Sequence, residues 1–157
     1  MTSAPAPAVD ERSFRNAMAR WASGVAVVVV RDAQGFKAAT VTAFCSGSLR
    51  PPLVFVAMSE TSQTLARSTA AGRFTVSFLA ESQGDVAGHV ASGGDDGALF
   101  DDDGAVRGAL LALRCAAMPV QVCGDHVLLV GRVEEVREGP GERPLIYWGR
   151  GYRALAR

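Results

Sequence analysis

The stretch GVAVVVVRDAQGFKAATVTAF, residues 24–44, decides the fold of this chain. It begins with an apolar run, residues 25–30, that has no polar alternation, and such a run is typical of a strand covered on both faces. Residues 32–35 (DAQG) have the composition of a turn, and residues 36–44 are predicted to be a second strand. The stretch therefore predicts an antiparallel hairpin.

The rest of the chain continues with strands that mostly follow one another without an intervening helix. Further strands are predicted at residues 53–58, 74–79, 106–117, 120–122, 126–137 and 145–147. One helix is predicted at residues 63–71, closed by Gly72, and another from a Ser82 cap, with Asp85 three residues later, to about residue 90. Residues 91–104, with five aspartates and four glycines, are predicted to be a solvated loop. About seven strands and two or three short helices indicate a mainly β, largely antiparallel small barrel with helical additions.

The N-terminal part is predicted to be a tail followed by a helix. Residues 1–9 have neither a basic start nor a long apolar run, so they are interpreted as a disordered tail, and residues 10–157 as one domain. Residues 10–23 place Phe14, Ala17, Met18, Trp21 and Ala22 on one helical stripe. That stripe predicts a helix lying on the core.

The overall composition excludes several classes of protein. Of 157 residues, 48% are apolar and 20% are charged, as in an ordinary globular domain. Sixteen basic residues balance sixteen acidic ones, which disfavours binding to nucleic acid or to an anionic membrane. The longest apolar run is too short to span a membrane. There is no GxGxxG after the first strand and no GxxxxGK[ST], so the two common nucleotide-binding folds are not indicated.

Cysteine and histidine usage argues against disulfides and metals. Cys45, Cys115 and Cys123 make an odd number without a CxxC pair, so neither a disulfide framework nor a zinc knuckle is expected, and a cytoplasmic location is predicted. The cysteines are interpreted as buried, small apolar residues, since none lies beside a histidine in any visible motif. With only His89 and His126 in the chain, no metal site is expected.

Residues 40–52 (TVTAFCSGSLRPP) place Thr40, Thr42, Ser46 and Ser48 where a strand is predicted to pass into a loop. Threonine favours strands and serine favours loops, which explains the pattern without any function. Alternatively, these hydroxyls and the loop amides face the edge of a planar ligand. A flavin ring needs such donors, because its reduced form carries negative charge near N1 and C2=O.

Two other segments have a structural and a functional interpretation. Ser59, Thr61, Ser62 and Thr64 precede the helix at residues 63–71, so they are either an ordinary hydroxyl cap or a phosphate site at a helix N-terminus. In residues 124–126 (GDH) the histidine is either structural or catalytic, and the aspartate fixes either the turn or the imidazole.

Seven motifs, spread over about residues 12–155, together resemble the short-chain flavin reductase family, the reductase components of two-component flavin-dependent monooxygenases. They are FRNAM (14–18), GVAVV (24–28), residues 40–52, SETSQT (59–64), FTVSFL (74–79) before Gln83, GDH (124–126), and PLIY (144–147) before Tyr152. The resemblance implies a Greek-key-like, FMN-binding split β-barrel with short peripheral helices, usually a homodimer. It also implies hydride transfer from NADH or NADPH to N5 of FMN or FAD, after which reduced flavin diffuses to a separate monooxygenase.

The resemblance assigns roles to individual positions. His126 would orient the nicotinamide, with Asp125 beside it, and these are the implied catalytic residues. The implied flavin-binding residues are Thr40, Val41, Thr42, Ala43, Ser46, Ser48, Ser59, Thr61, Ser62, Thr64, Gln83, His89, Phe100 and Tyr152. Ala43 stands where a serine is common, which removes one side-chain donor. Phe100 has an equal interpretation as the anchor of a loop, and Tyr152 as a dimer contact.

Two other functions remain open from the sequence. A flavin-holding protein of the same fold, with a storage, sensing or haem-related role, would not oxidise nicotinamide. A pyridoxamine-phosphate oxidase-like enzyme is also a split barrel, but it would want a basic phosphate-binding cluster that the sequence lacks. The presence of Asp125 and His126 favours the reductase.

Overall fold

The computed structural model describes residues 9–156, so the predicted N-terminal tail lies outside the described residues except for Val9. The helices are α1 (Glu11–Met18), α2 (Gln63–Ala71) and α3 (Gly84–Ala91), with short 3-10 turns at Glu81–Gln83 and Gly97–Leu99. The strands are β1 (Ser23–Gly24), β2 (Ala26–Asp32), β3 (Gly35–Val41), β4 (Phe44–Leu49), β5 (Pro52–Ser59), β6 (Arg73–Phe78), β7 (Leu111–Ala117), β8 (Gln121–Cys123), β9 (His126–Glu138), β10 (Ile146–Trp148) and β11 (Gly151–Arg153). In this part of the chain no helix is long and apolar enough to cross a membrane.

The main sheet is the split barrel that the sequence predicts. Its strand order is β3-β2-β6-β7-β9-β5-β4, with β8 added to β9, and every pair is antiparallel. Helix α2 connects β5 to β6, and its Leu65 packs into the barrel core. A smaller sheet, β1-β10-β11, contains the short β1 and β11 that the sequence does not predict.

The valine run of β2 is buried on both faces, as predicted, because it separates two cores. Ala26 and Val28 belong to the barrel interior, whereas Val27 and Val29 belong to a second core beneath α3. Burying each valine contributes about 1.5–3 kcal/mol relative to an exposed one. The predicted hairpin is also confirmed, with Asp32 opposite Gly35 in the pairing of β2 with β3.

The prediction that the N-terminal helix lies on the core is wrong. Helix α1 ends at Met18, and none of its residues is buried. Phe14 is 58% exposed and Trp21, beyond the helix end, is 74% exposed. The helix is held by polar contacts to the β10–β11 turn, because Gly149 N donates to Ala19 O at 3.0 Å and the Arg150 guanidinium donates to the Asn16 side chain.

Residues 36–44 are not one strand. Strand β3 ends at Val41, and Phe44 begins β4, which pairs with β5 at one end of the sheet order. Ser46 and Ser48 therefore lie in a strand and not in a loop. Between them Gly47 lies at a register shift, where a Cβ atom would approach the Phe55 ring to 2.2 Å.

Three other local predictions are corrected. Ser82 does not cap α3; a 3-10 turn precedes that helix, and the Gln83 side chain accepts the hydrogen bond from Ala80 N at 2.9 Å. Residues 91–104 are not simply solvated, since Phe100 is 1% exposed. The strand predicted from residue 106 begins only at Leu111.

Candidate functional site

Two of the predicted segments meet where β5 ends and β9 begins. Ser59 and His126 are direct partners in the β5–β9 ladder. Glu60 N donates to Asp125 O at 3.2 Å, and the hydroxyls of Ser59 and Thr61 lie 2.9 Å apart. The hydroxyl-rich segment and the Asp125–His126 pair are therefore neighbours in space.

Asp125 fixes the orientation of the His126 ring. His126 Nδ1 lies 2.8 Å from Asp125 Oδ1. The hydrogen bond to His126 is the main reason that the pKa of Asp125 is lowered, and the charge of Arg15 on α1 adds to the effect. A carboxylate only accepts hydrogen bonds, so Nδ1 carries the proton and donates it. The His126 side chain is 49% exposed, so part of the ring is accessible to a ligand.

The cysteines are placed differently from the sequence prediction. Cys123 is the direct partner of His126 in the β8–β9 hairpin, so one cysteine does lie beside a histidine. Cys45 and Cys123 are exposed, and only Cys115 is buried, where desolvation raises the pKa of its thiol to about 12. The exposure of Cys45 and Cys123 could not be predicted from the sequence, because strand register decides which face of the sheet each residue occupies.

A polar groove of about 360 Å³ lies between β3, the N-terminus of α2 and the C-terminal end of α3. Thr40, Ser62 and Thr64 line it. Ser62 Oγ accepts from Leu65 N at 3.3 Å, so it is a helix cap, and it still has its own proton to donate. Thr64 is 2% exposed. Thr40 Oγ1 donates to Ala87 O at 2.8 Å and so ties β3 to α3.

The groove also contains Lys37, which the sequence interpretation did not single out. Its Nζ lies 3.0 Å from the Asp95 carboxylate, and the two side chains are partly buried. The one signal in the sequence was that Lys37 is the only lysine of the chain.

The remaining residues of the predicted ring-binding segment extend away from the groove. Val41 faces the barrel core, and Ala43 O accepts from Ala57 N at 3.0 Å. Thr42 is exposed and lines an apolar pocket of about 210 Å³. Ser46 and Ser48 lie further along β4, opposite Val54 and Leu53 of β5. Val54 is five residues from Ser59, which corresponds to roughly 16 Å along the strand.

Three predicted cofactor residues have structural contacts. Gln83 uses both ends of its amide, because Nε2 donates to Arg107 O at 2.8 Å while Oε1 accepts from Ala80 N. Phe100 packs against Phe36 with ring centroids 5.2 Å apart. Tyr152 packs against Tyr147, and partial burial raises the pKa of its hydroxyl. These contacts fit anchoring of their segments better than contact with a ligand.

His89 and a second, larger cavity lie outside the lining of the polar groove. The exposed His89 ring lies over Gly94, where a Cβ atom would come within 2.2 Å of it. A cavity of about 610 Å³ is lined in part by Arg31, Asp102 and Glu134 and includes none of the predicted site residues. Charges of both signs pair there, as Arg31 does with Asp102 at 3.4 Å.

An antiparallel split barrel with a hydroxyl-lined groove and an exposed Asp–His pair has the features of a small flavin-binding barrel protein. The chain belongs to the flavin reductase-like family, because the family model described as "Flavin reductase like domain" matches residues 18–156.

Individual proteins agree with this assignment. The chain is 45% identical to the reductase component of 4-hydroxyphenylacetate 3-monooxygenase of Thermus thermophilus, over 92% of this chain and 97% of that protein. It is 40% identical to the NADH:riboflavin 5'-phosphate oxidoreductase of Streptomyces pristinaespiralis, over 92% and 87% of the two chains. The structure of the NADH:FAD oxidoreductase SgcE6 of Streptomyces globisporus, in complex with NAD and FAD fragments, is 29% identical with a TM-score of 0.85, over 96% of this chain and 98% of that one.

Proposed function

We propose that this protein is a flavin reductase that transfers a hydride from NADH or NADPH to FMN or FAD and supplies reduced flavin by diffusion to a partner monooxygenase. The observation that carries the proposal is the exposed His126 ring, fixed by Asp125 and adjacent to the hydroxyl-rich segment. The relatives named as an NADH-dependent oxidoreductase and as a monooxygenase reductase component support this reaction and this partner.

The residues present fit a flavin. The hydroxyls of Ser62 and Thr64, which line the groove, and the N-terminus of α2 would hold the phosphate, since helix N–H groups and the helix dipole favour anions. Backbone groups of residues 40–43 and the hydroxyls of Ser46 and Ser48 would face the polar edge of the ring. When bound, the flavin supplies the hydride acceptor.

His126 contributes alignment in this proposal. Its ring is held at Nδ1, so the open face and the Nε2 edge stay in one orientation against the pyridine ring of the nicotinamide. Hydride transfer depends on the separation and alignment of donor and acceptor. A fixed neighbouring ring reduces the number of unproductive orientations of the nicotinamide and so lowers the activation barrier. Asp125 acts through His126 as a positioning residue.

The reaction is tested by mixing the purified protein with NADH or NADPH and with FMN or FAD, and following absorbance at the nicotinamide band. We expect oxidation of at least one nicotinamide that requires both added flavin and protein. Flavin binding without nicotinamide oxidation would instead support the flavin-holding alternative, and the absence of flavin binding would contradict both.

The exposed face of α1 supports the proposal of a homodimer. Phe14 and Met18 on α1, with Trp21 after it and Trp148 on β10, are large apolar residues exposed on a single chain. Exposed apolar groups of this size mark interaction surfaces.

The dimer is tested by sedimentation at micromolar concentration. We expect the wild type to sediment as a dimer, and Phe14→Glu with Trp21→Glu to sediment as a monomer, because two buried charges would oppose association. Leu155→Glu, at another exposed apolar residue, is the control and should remain a dimer. A wild type that is monomeric and fully active would contradict the proposal.

We also propose a cytoplasmic location for this protein, and its three free thiols support that location.

A further inference from the structure

Three residues form a row across the main sheet at His126. Ser59 of β5 is the direct partner of His126 on one side, and Cys123 of β8 is its partner on the other side. Side chains of directly opposed residues in antiparallel strands project from the same face, with their Cβ atoms roughly 4.5–5.5 Å apart. The Cys123 thiol therefore lies on the same face of the sheet as the His126 ring and beside it.

The position of Cys123 is fixed, and its side chain is open to solvent. Residues 124 and 125 join β8 to β9 as a two-residue turn, in which Gly124 supplies the positive φ of +67°. Within residues 9–156, β8 pairs with β9 alone, so the outer edge of β8 is uncovered. Cys45 on β4 is the other exposed free thiol, and Cys115 is buried. Cys123 is therefore the exposed thiol that lies beside the His126 ring.

We propose that Cys123 is a site of thiol modification, and that an adduct on its sulfur closes the space in which the nicotinamide lies against His126. This inference rests on the proposed function, which places the pyridine ring on the exposed part of the His126 ring. A thiol occupies little of that space, whereas a mixed disulfide adds a second molecule beside the imidazole. The polar groove is lined by β3, α2 and the end of α3, so an adduct on β8 leaves the groove open to flavin.

The oxidant is hydrogen peroxide, which forms when reduced flavin passes two electrons and two protons to dioxygen before it reaches a partner monooxygenase. The Cys123 sulfur attacks one peroxide oxygen: an S–O bond forms, the O–O bond breaks, and the thiol proton leaves with the other oxygen as water. A small thiol such as glutathione then condenses with the sulfenic acid, which releases a second water and leaves a mixed disulfide that excess thiol reduces. Reduced flavin that is not consumed thereby stops its own production.

The test compares the wild type with Cys123→Ser, and Cys45→Ser is the matched control. Cys45 lies opposite Phe55, four residues along β5 from Ser59, which corresponds to roughly 13 Å along the strand. Each protein is treated with hydrogen peroxide and glutathione and desalted. It is then compared with its own untreated sample for flavin reduction by NADH, FMN affinity and adduct mass.

We expect the treated wild type and Cys45→Ser to reduce flavin about 10-fold more slowly or worse, because the adduct displaces the nicotinamide, and dithiothreitol to restore the rate. Cys123→Ser should keep its untreated rate, and FMN affinity should stay unchanged in all three proteins.

A second measurement does not depend on turnover. N-Ethylmaleimide alkylates exposed thiols, and mass spectrometry gives the rate at each cysteine. Adding NAD⁺ to the wild type with oxidised FMN should slow alkylation of Cys123 and leave that of Cys45 unchanged. Thermal melts check that each variant is folded, and if Cys123→Ser does not fold, this protection measurement on the wild type decides the result.

Equal inactivation of Cys123→Ser and the wild type, or resistance of Cys45→Ser, would overturn the role of Cys123. An adduct on Cys123 with an unchanged rate of flavin reduction would mean that the thiol does not adjoin the nicotinamide, and it would overturn the closure of the site. Either result in an untreated wild type that oxidises NADH would overturn this inference alone. An untreated wild type that oxidises neither NADH nor NADPH with any flavin would overturn the proposed function as well.

Discussion

Replacing His126 with alanine should lower the rate of hydride transfer to flavin by roughly 10–100-fold, a loss of about 1.4–2.7 kcal/mol of transition-state stabilisation. Flavin binding and Tm should stay near the wild-type values. The physical reason is that the His126 ring is half-exposed and its hydrogen bond is to the exposed Asp125, so its removal leaves the barrel core intact. What is lost is the surface that orients the nicotinamide.

Stopped-flow measurement of flavin reduction over a range of NADH concentrations separates nicotinamide affinity from the reduction step. Val122→Ala is the control, since Val122 is an exposed residue of the same hairpin and pairs with Val127. The rate of flavin reduction by Asp125→Asn should lie between the rates of the wild type and of His126→Ala. The amide still occupies the turn, but it no longer requires a proton on Nδ1 of His126. An unchanged reduction rate together with unchanged NADH affinity would leave His126 as a structural turn residue.

Sequence patterns correctly predicted those parts of the fold that depend on residues close together in the chain. The bounds of α2 agree with the prediction because Ser62 caps the helix and Gly72, at φ +67°, ends it. The valine run of β2 predicted burial on both faces because it has no polar alternation. The hydroxyls of residues 59–64 and the Asp125–His126 pair were visible as motifs, and strand register then placed them together.

Features that depend on distant contacts were not predictable from one sequence. The stripe on α1 is a true amphipathic pattern, but the pattern does not say whether the same chain or another surface covers it. The Lys37–Asp95 pair joins residues 58 positions apart. The aspartates of residues 91–104 indicated a solvated loop, although Phe100, within the same segment, packs into the second core.

Replacing Phe100 with alanine should lower the free energy of unfolding by about 3–5 kcal/mol. Phe100 is 1% exposed and packs in the second core with Phe36, Val29 and Val106. Truncation removes the ring's apolar burial and leaves a cavity between β2 and the segment after α3, and this cavity is expensive because its walls relax only partly. Denaturant unfolding measures the change. Leu49→Ala, at an 89% exposed residue, is the control and should change stability by less than about 0.5 kcal/mol.

A second substitution of Phe100 distinguishes a role as the anchor of residues 91–104 from direct contact with the flavin. Phe100→Leu keeps much of the buried volume, so it should fold with a smaller loss of stability than Phe100→Ala. If Phe100 only anchors residues 91–104, the folded Phe100→Leu variant binds FMN as the wild type does, because no aromatic surface faces the flavin. A folded Phe100→Leu variant with markedly weaker FMN binding would mean that the ring leaves the core to cover the flavin. Unfolding of Phe100→Ala at the wild-type denaturant midpoint would contradict the anchoring role itself.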